Sequence, residues 1–135
     1  MTKIIFVCEK NSVRSVLAEA LASKYLSGES DSAGLTPDDD HDAVVLNKIE
    51  ELGLPIPTHP PRHLDDVMDD SAYYVALSEN VFNALRSVPQ LSSSAIEYWE
   101  TPHPPVPDEH RDQAMKQIDS ITHSLRDHMR NRFDH

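Results

Sequence analysis

A chain of 135 residues with 39% hydrophobic side chains is long enough to bury one core and reads as a single domain over 1–135. The net charge of −11, from 23 acidic and 12 basic side chains, argues against a nucleic-acid surface and against binding to anionic membranes. No run of about 18 apolar residues occurs, so no transmembrane helix is expected, and the one cysteine excludes an intrachain disulfide and fits a reducing cytoplasm.

Met1-Thr2-Lys3 leads directly into Ile4-Ile5-Phe6-Val7, too short a start for a signal peptide and apolar enough for a buried strand. That strand delivers Cys8 to a loop, Glu9-Lys10-Asn11-Ser12-Val13, which opens onto a helix with Arg14 at its start. Amides without helical partners point into such a loop, and the helix dipole favours negative charge there. A phosphate-like oxyanion is one such charge. A thiolate is another, so the same field makes Cys8 a nucleophile at neutral pH. Because the global charge opposes an anion, Arg14, Lys10 and the amides must overcome it locally.

The first helix is expected over about Arg14 to Leu26, with Leu17, Leu21, Ala18, Ala22 and Tyr25 on one apolar face and Ser27-Gly28 ending it. Ser30-Asp31-Ser32-Ala33-Gly34 is too polar to read as a strand by itself. Asp39 or Asp40 should cap a second helix over about His41 to Leu52, with Gly53 at its end. Pro55, Pro57, Pro60 and Pro61 make a stiff connector, in which His59 and His63 read as exposed loop residues rather than metal ligands. Leu64 to Met68 suggests a helical turn, and Ala72 to Leu77 a strand buried on both faces. Ser78 should cap a short helix through Leu85 and Val88. Ser94 to Trp99 reads as the fourth strand, with either Tyr98 or Trp99 in the core. A proline-rich loop and a long helix follow, capped by Asp108, with Met115, Ile118, Leu125 and Met129 on its buried stripe. Alternating strands and helices predict an α/β, three-layer fold: a four-stranded parallel sheet, helices on both faces, and ligands beyond the carboxyl ends of the strands. Cys8, the Asp38 region, Ser78 and the Glu100–Pro107 loop should gather there.

The Cys-x5-Arg-Ser spacing, with Asn11 and Ser15 in place, resembles the phosphate-binding loop of the low-molecular-weight protein tyrosine phosphatase family, which shares its fold with the thioredoxin-coupled arsenate reductases. Lys10 departs from the pattern, standing where the family usually has glycine, and a positive φ there would strain the loop. The resemblance implies catalytic roles for Cys8 as nucleophile, Arg14 as the fork on two oxygens and Ser15 as thiolate stabiliser. It also implies an oxyanion-binding loop of Glu9, Lys10, Asn11, Ser12, Val13 and Arg14, with Asn11 as brace, and it makes Ser30–Gly34, ending in Ser-Ala-Gly, resemble the family's short second strand. It implies a general-acid Asp in an Asp-Pro pair, but here Thr101-Pro102 stands in its place. Glu100 is the first candidate substitute, and His103 and Asp108 share its loop. No aromatic wall for a phenol is evident at Leu35–Asp38 or His103–Pro105.

Three functions follow from the resemblance. The first is a cysteine-dependent phosphate-monoester hydrolase working through a phosphocysteine. The second is a non-catalytic or weakly active oxyanion-binding relative. The third is a single-cysteine arsenate reductase using an external thiol, because Ser78-Glu79-Asn80 stands where the thioredoxin-coupled enzymes carry further cysteines. The expected partners are a phosphate or arsenate-like oxyanion and a phosphorylated protein, with no nucleic acid, membrane, cofactor or metal. The expected location is the cytoplasm.

Overall fold

Five consecutive buried residues, Ile4–Cys8, can only form a strand covered on both faces, and this strand, β1, is central. The computed structural model describes residues 3–24, 30–69, 71–91, 94–104 and 111–133. In it β2 (Ser30–Gly34), β3 (Tyr73–Ala76) and β4 (Ile96–Tyr98) join β1 in one parallel sheet, ordered β2-β1-β3-β4. Helices α1 (Arg14–Ala22), α2 (Ala43–Glu51) and α3 (Glu79–Arg86) connect successive strands, and α4 (Arg111–Phe133) follows the sheet. Alternation along β1 sorts the core into two layers. Ile4, Phe6 and Cys8 face α1, α2, α4 and Trp99, whereas Ile5 and Val7 face α3 and the short helical turns at Leu64–Asp66 and Pro89–Leu91.

Several local expectations need correction. Helix α1 is buried nearly all round rather than on one face, because α2 and α4 cover its outer side; Glu19 is its half-buried exception. Residues Tyr25 to Gly28, like Asp108, lie outside the described residues. Ser30–Gly34 is a strand despite its polarity, since Ser32 and Asp31 find partners and Ala33 is buried. Asp42, not Asp39 or Asp40, caps α2: its Oδ1 accepts from Val44 N at 2.9 Å and Val45 N at 3.1 Å. Gly53 has φ +70°, the left-handed conformation expected just past a helix end. On α4 the buried stripe runs through Ala114, Ile118, Ile121, Leu125 and Met129, while Met115 is half-buried. Trp99 is in the core against Phe6, with ring centroids 5.6 Å apart, and Tyr98 is exposed. Among the described residues no helix is long and apolar enough to cross a membrane.

Glu97 ties β4 to β3 and α4, accepting from Tyr73 Oη, from Trp99 Nε1 at 2.7 Å and from Arg132 Nε at 3.1 Å. Burial alone would raise its carboxyl, but these hydrogen bonds and the Arg132 charge outweigh it and hold the group below the ordinary carboxylate range. A depressed folded value gives stability that is present above the unfolded glutamate's titration, near pH 4.3, and lost as pH falls through the folded one. Glu97→Gln should therefore lose about 1 kcal/mol at neutral pH, by urea denaturation. The gap to the wild type should narrow as both are taken below about pH 4. A gap independent of pH would show that ionisation of Glu97 does not contribute.

Candidate active site

Beyond the carboxyl end of β1 the chain must leave the sheet, and it does so as a tight loop laid across β2. A side chain at Gly34 would put its Cβ 2.8 Å from Asn11 N and 2.9 Å from both Glu9 O and Lys10 C, so only glycine lets the loop lie this low.

The segment after β2 then binds the loop's carbonyls one after another. Leu35 N donates to Cys8 O at 3.3 Å, Thr36 N to Glu9 O at 2.7 Å, Asp38 N to Lys10 O at 3.0 Å and Asp42 N to Ser12 O at 3.0 Å. The Asn11 carbonyl takes its bond from a side chain, His41 Nδ1, at 3.0 Å. In a trans peptide the carbonyl of one residue and the amide of the next point opposite ways. None of the peptide bonds among the described residues is cis. Turning carbonyls 8 to 12 outward therefore turns the amides of Glu9 to Val13 inward, onto Cys8. Asn11 N does reach Cys8 Sγ, at 3.3 Å. Helix α1 begins at the far end with Val13 as N-cap and no side-chain cap, which leaves its first amides without a side-chain partner. The result is a concave nest of N–H groups of the kind that holds anions.

The predicted site residues divide clearly. Cys8 and Arg14 are 4% and 5% exposed, Ser15 and Asn11 fully buried, Ser12 and Val13 buried, Glu9 and Lys10 exposed. Cys8 Sγ lies 2.9 Å from Ser15 Oγ. Asn11 braces the loop with every polar group it has: Nδ2 donates to Ser15 Oγ at 2.8 Å and Ser32 Oγ at 3.0 Å, and Oδ1 accepts from Arg62 N at 3.1 Å. The strain expected at Lys10 is not there. The positive φ falls on Asn11, at 52°, and asparagine tolerates that region well. Arg14 Nη1 donates to Leu77 O at 3.1 Å and Thr101 Oγ1 at 3.3 Å, while Thr101 Oγ1 itself donates to Leu77 O at 2.9 Å. The ends of β1, β3 and β4 thus meet, as expected from the topology. Glu100 is exposed; its carbonyl is held to α4 by His128 Nε2 at 2.8 Å and Ser124 Oγ at 3.3 Å, and its carboxylate makes no hydrogen bond or ion pair among the described residues. His103 is exposed on the same loop.

His59 is not the exposed loop residue expected. It is half-buried, with Nε2 2.7 Å from Glu19 Oε1, which also accepts from Ser32 Oγ at 2.6 Å. Asp31 lies in the same group, and the three ligand-capable atoms sit within 4.8 Å of one another. Lys3, at 3.5 Å, and Arg62 already bring Asp31 the positive charge that a metal would supply. Burial lowers the Arg62 guanidinium from its usual value, and Glu19 and Asp66 oppose that. Sequence reasoning had no local signal for this second tier of Ser32, Glu19, His59 and Arg62.

Fold and loop together define an α/β protein with a tight cysteine-centred loop after its first strand. The family model described as low molecular weight phosphotyrosine protein phosphatase matches residues 3–129, and the chain belongs to that family. Solved structures agree on the fold. An arsenate reductase from Archaeoglobus fulgidus is 26% identical with TM-score 0.70, over 93% of this chain and 98% of that one. A Vibrio vulnificus protein, Wzb, in complex with benzylphosphonate is 16% identical with TM-score 0.76, over 96% and 98%. A low molecular weight protein tyrosine phosphatase from Streptococcus pyogenes is 16% identical with TM-score 0.72, over 98% and 93%.

Gly34→Ala should push the loop off β2 and lower stability by about 1–3 kcal/mol, as overpacking does. Its sulfate affinity, by calorimetry, should fall further than that of Ser30→Ala, on the same strand but away from the loop. Equal affinities in the two variants would mean that the loop does not depend on this close approach.

Proposed function

We propose that the chain is a cysteine-dependent phosphate-monoester hydrolase of the low-molecular-weight tyrosine phosphatase type, acting in the cytoplasm. One observation carries the reading: Cys8 Sγ accepts from Asn11 N and lies against Ser15 Oγ, within a nest that ends on buried Arg14. In this reading the Cys8 thiolate attacks phosphorus and the P–O bond to the leaving group breaks, giving a phosphocysteine and an alcohol or phenol. Water then attacks phosphorus, phosphate leaves, and the thiolate returns. The amides of Glu9 to Val13 stabilise the charge developing on the equatorial oxygens, and the Arg14 fork holds two of them. Lys10, exposed on the rim, offsets part of the net negative charge. A phosphorylated protein is the partner proposed.

The leaving group needs a proton. Thr101 cannot supply it, because a threonine hydroxyl does not ionise near neutral pH and this one already donates to Leu77 O. Glu100, exposed beside it and with its carboxylate unengaged among the described residues, is the donor proposed.

The same observation about Thr101 favours a second reading, arsenate reduction with a small thiol. There Cys8 displaces hydroxide from arsenic, and an external thiol attacks the Cys8 sulfur, so that two thiols are oxidised while arsenate becomes arsenite. The non-catalytic alternative loses support from the relaxed backbone at Lys10.

Wild type should hydrolyse p-nitrophenyl phosphate and Cys8→Ser should not; turnover by the mutant would sink both cysteine-based reactions. With phenyl phosphate, whose leaving group is poor, Glu100→Gln should be about 10²-fold slower than wild type or worse. An unchanged rate there removes Glu100 from the mechanism. Arsenate-dependent oxidation of added thiol, without ester hydrolysis, would establish the second reading.

A further inference from the structure

Every carbonyl from Cys8 to Ser12 is bonded from the segment that follows β2, and all but one of the donors are backbone amides, which hold their protons at any ordinary pH. The exception is His41. Its Nδ1 faces Asn11 O at 3.0 Å and its Nε2 faces His59 O at 2.7 Å. Both partners are carbonyl oxygens, which only accept. A neutral imidazole has one N–H and one lone pair, so it can satisfy one of them and must aim its lone pair at the other. Only the imidazolium makes both bonds. The ring then acts as a clamp between the anion nest and the proline-rich connector that carries His59 and Arg62, and it grips the nest at Asn11, its left-handed residue.

We infer that His41 is a positioning residue whose doubly protonated ring clamps the Asn11 carbonyl to the connector and so makes oxyanion binding by the nest dependent on pH; this rests on the oxyanion site proposed above. The sign follows from the proton count. The clamp is complete at low pH and loses one bond as the imidazole deprotonates with rising pH. The nest then keeps its four amide bonds but gives up either the bond on Asn11 O or the tie to His59 O, and in both cases the clamp is open. The charge on the ring works in the same direction, favouring an anion below that titration. The other charged groups on the surrounding elements are Glu9 and Lys10 on the loop, Asp38, Asp39, Asp40 and Asp42 on the ring's own segment, and His59 and Arg62 on the connector. Behind them lie Glu19 and Asp31. The His59 ring stands edge-on to His41 with centroids 5.6 Å apart, and its nitrogens are taken by Glu19 Oε1 at 2.7 Å and Pro60 O at 2.9 Å. Asp42 spends its carboxylate on the α2 amides and Asp31 on Lys3 and Arg62.

The test uses sulfate, whose charge does not change with pH in this range, and the Cys8→Ser background, which removes the thiol's own titration. Sulfate affinity of Cys8→Ser should fall about tenfold between roughly pH 5.5 and 8.5, the value of one charge-assisted hydrogen bond. The further variant His41→Gln, which has one donor end and one acceptor end, should bind sulfate weakly at low pH and show a flat profile. In the wild-type full chain, long-range proton–nitrogen spectra at about pH 6 should show both His41 ring nitrogens protonated. A neutral single tautomer at that pH, or superimposable sulfate profiles with and without His41, overturns the clamp and leaves the nest standing. No sulfate binding at any pH overturns the nest and the clamp together, whatever the ring's protonation.

Discussion

The row of hydrogen bonds running from Leu35 to Asp42 onto the carbonyls of Cys8 to Ser12 is the constraint on which this molecule's site depends. A loop left to itself would point its carbonyls and amides in both directions. Here four amides and one imidazole claim the carbonyls, and the amides have nowhere to go but inward. At a net value of about 1 kcal/mol each, such bonds suffice to hold Asn11 in the left-handed region, which asparagine tolerates. The parallel pairing of β1 with β2 makes this possible, because it brings the two exits side by side, with Cys8 level with Gly34. The nest is thus a property of two adjacent strand ends, and of the missing side chain at Gly34 that lets one cross over the other.

A second junction fastens the far side. Arg14 reaches across to Leu77 O at the end of β3 and to Thr101 after β4, so the guanidinium is oriented by groups from two strand ends before any ligand arrives. Thr101 stands where the family resemblance places a proton donor, and its hydroxyl instead closes the triangle with Leu77. Thr101 thus spends its hydroxyl on bracing Arg14 and Leu77 O. Beneath it Trp99 stacks on His128 with the ring planes 7° apart, and His128 holds Glu100 O, so α4 fixes the course of this loop.

How much of this could be read in the sequence depended on range. Ile4 to Cys8 and Tyr73 to Ala76 are apolar runs whose type and length specify buried parallel strands, and their order with the helices fixes the fold class. The Cys-x5-Arg-Ser spacing marks the loop because all its members lie within one turn of chain. What stayed hidden depended on partners far away in sequence. Ser30–Gly34 looks like a loop until Ser32 finds Asn11 and Glu19, and Asp31 finds Lys3 and Arg62. His59 looks exposed until Glu19, 40 residues earlier, takes its ring. The cap lies two or three positions beyond the one expected, because successive aspartates share the same preference and only packing chooses among them and Asp42. At position 10 the family resemblance suggests a glycine-like conformation, but the left-handed residue of the turn is Asn11.

Helix α1 starts at Val13 without a side-chain cap. Most helices complete their first turn with a serine, threonine or aspartate of their own. This one leaves the turn open in the middle of the molecule, under the most buried helix of the fold, so an anion seated there would be part of its hydrogen-bond structure. Ligand binding and folding are then two views of one equilibrium. The native state is stabilised in proportion to the logarithm of ligand concentration over its dissociation constant, about 2.7 kcal/mol at a hundredfold excess. If the oxyanion proposed above is what seats there, phosphate in the surroundings would hold the protein folded through the contacts proposed for its substrate.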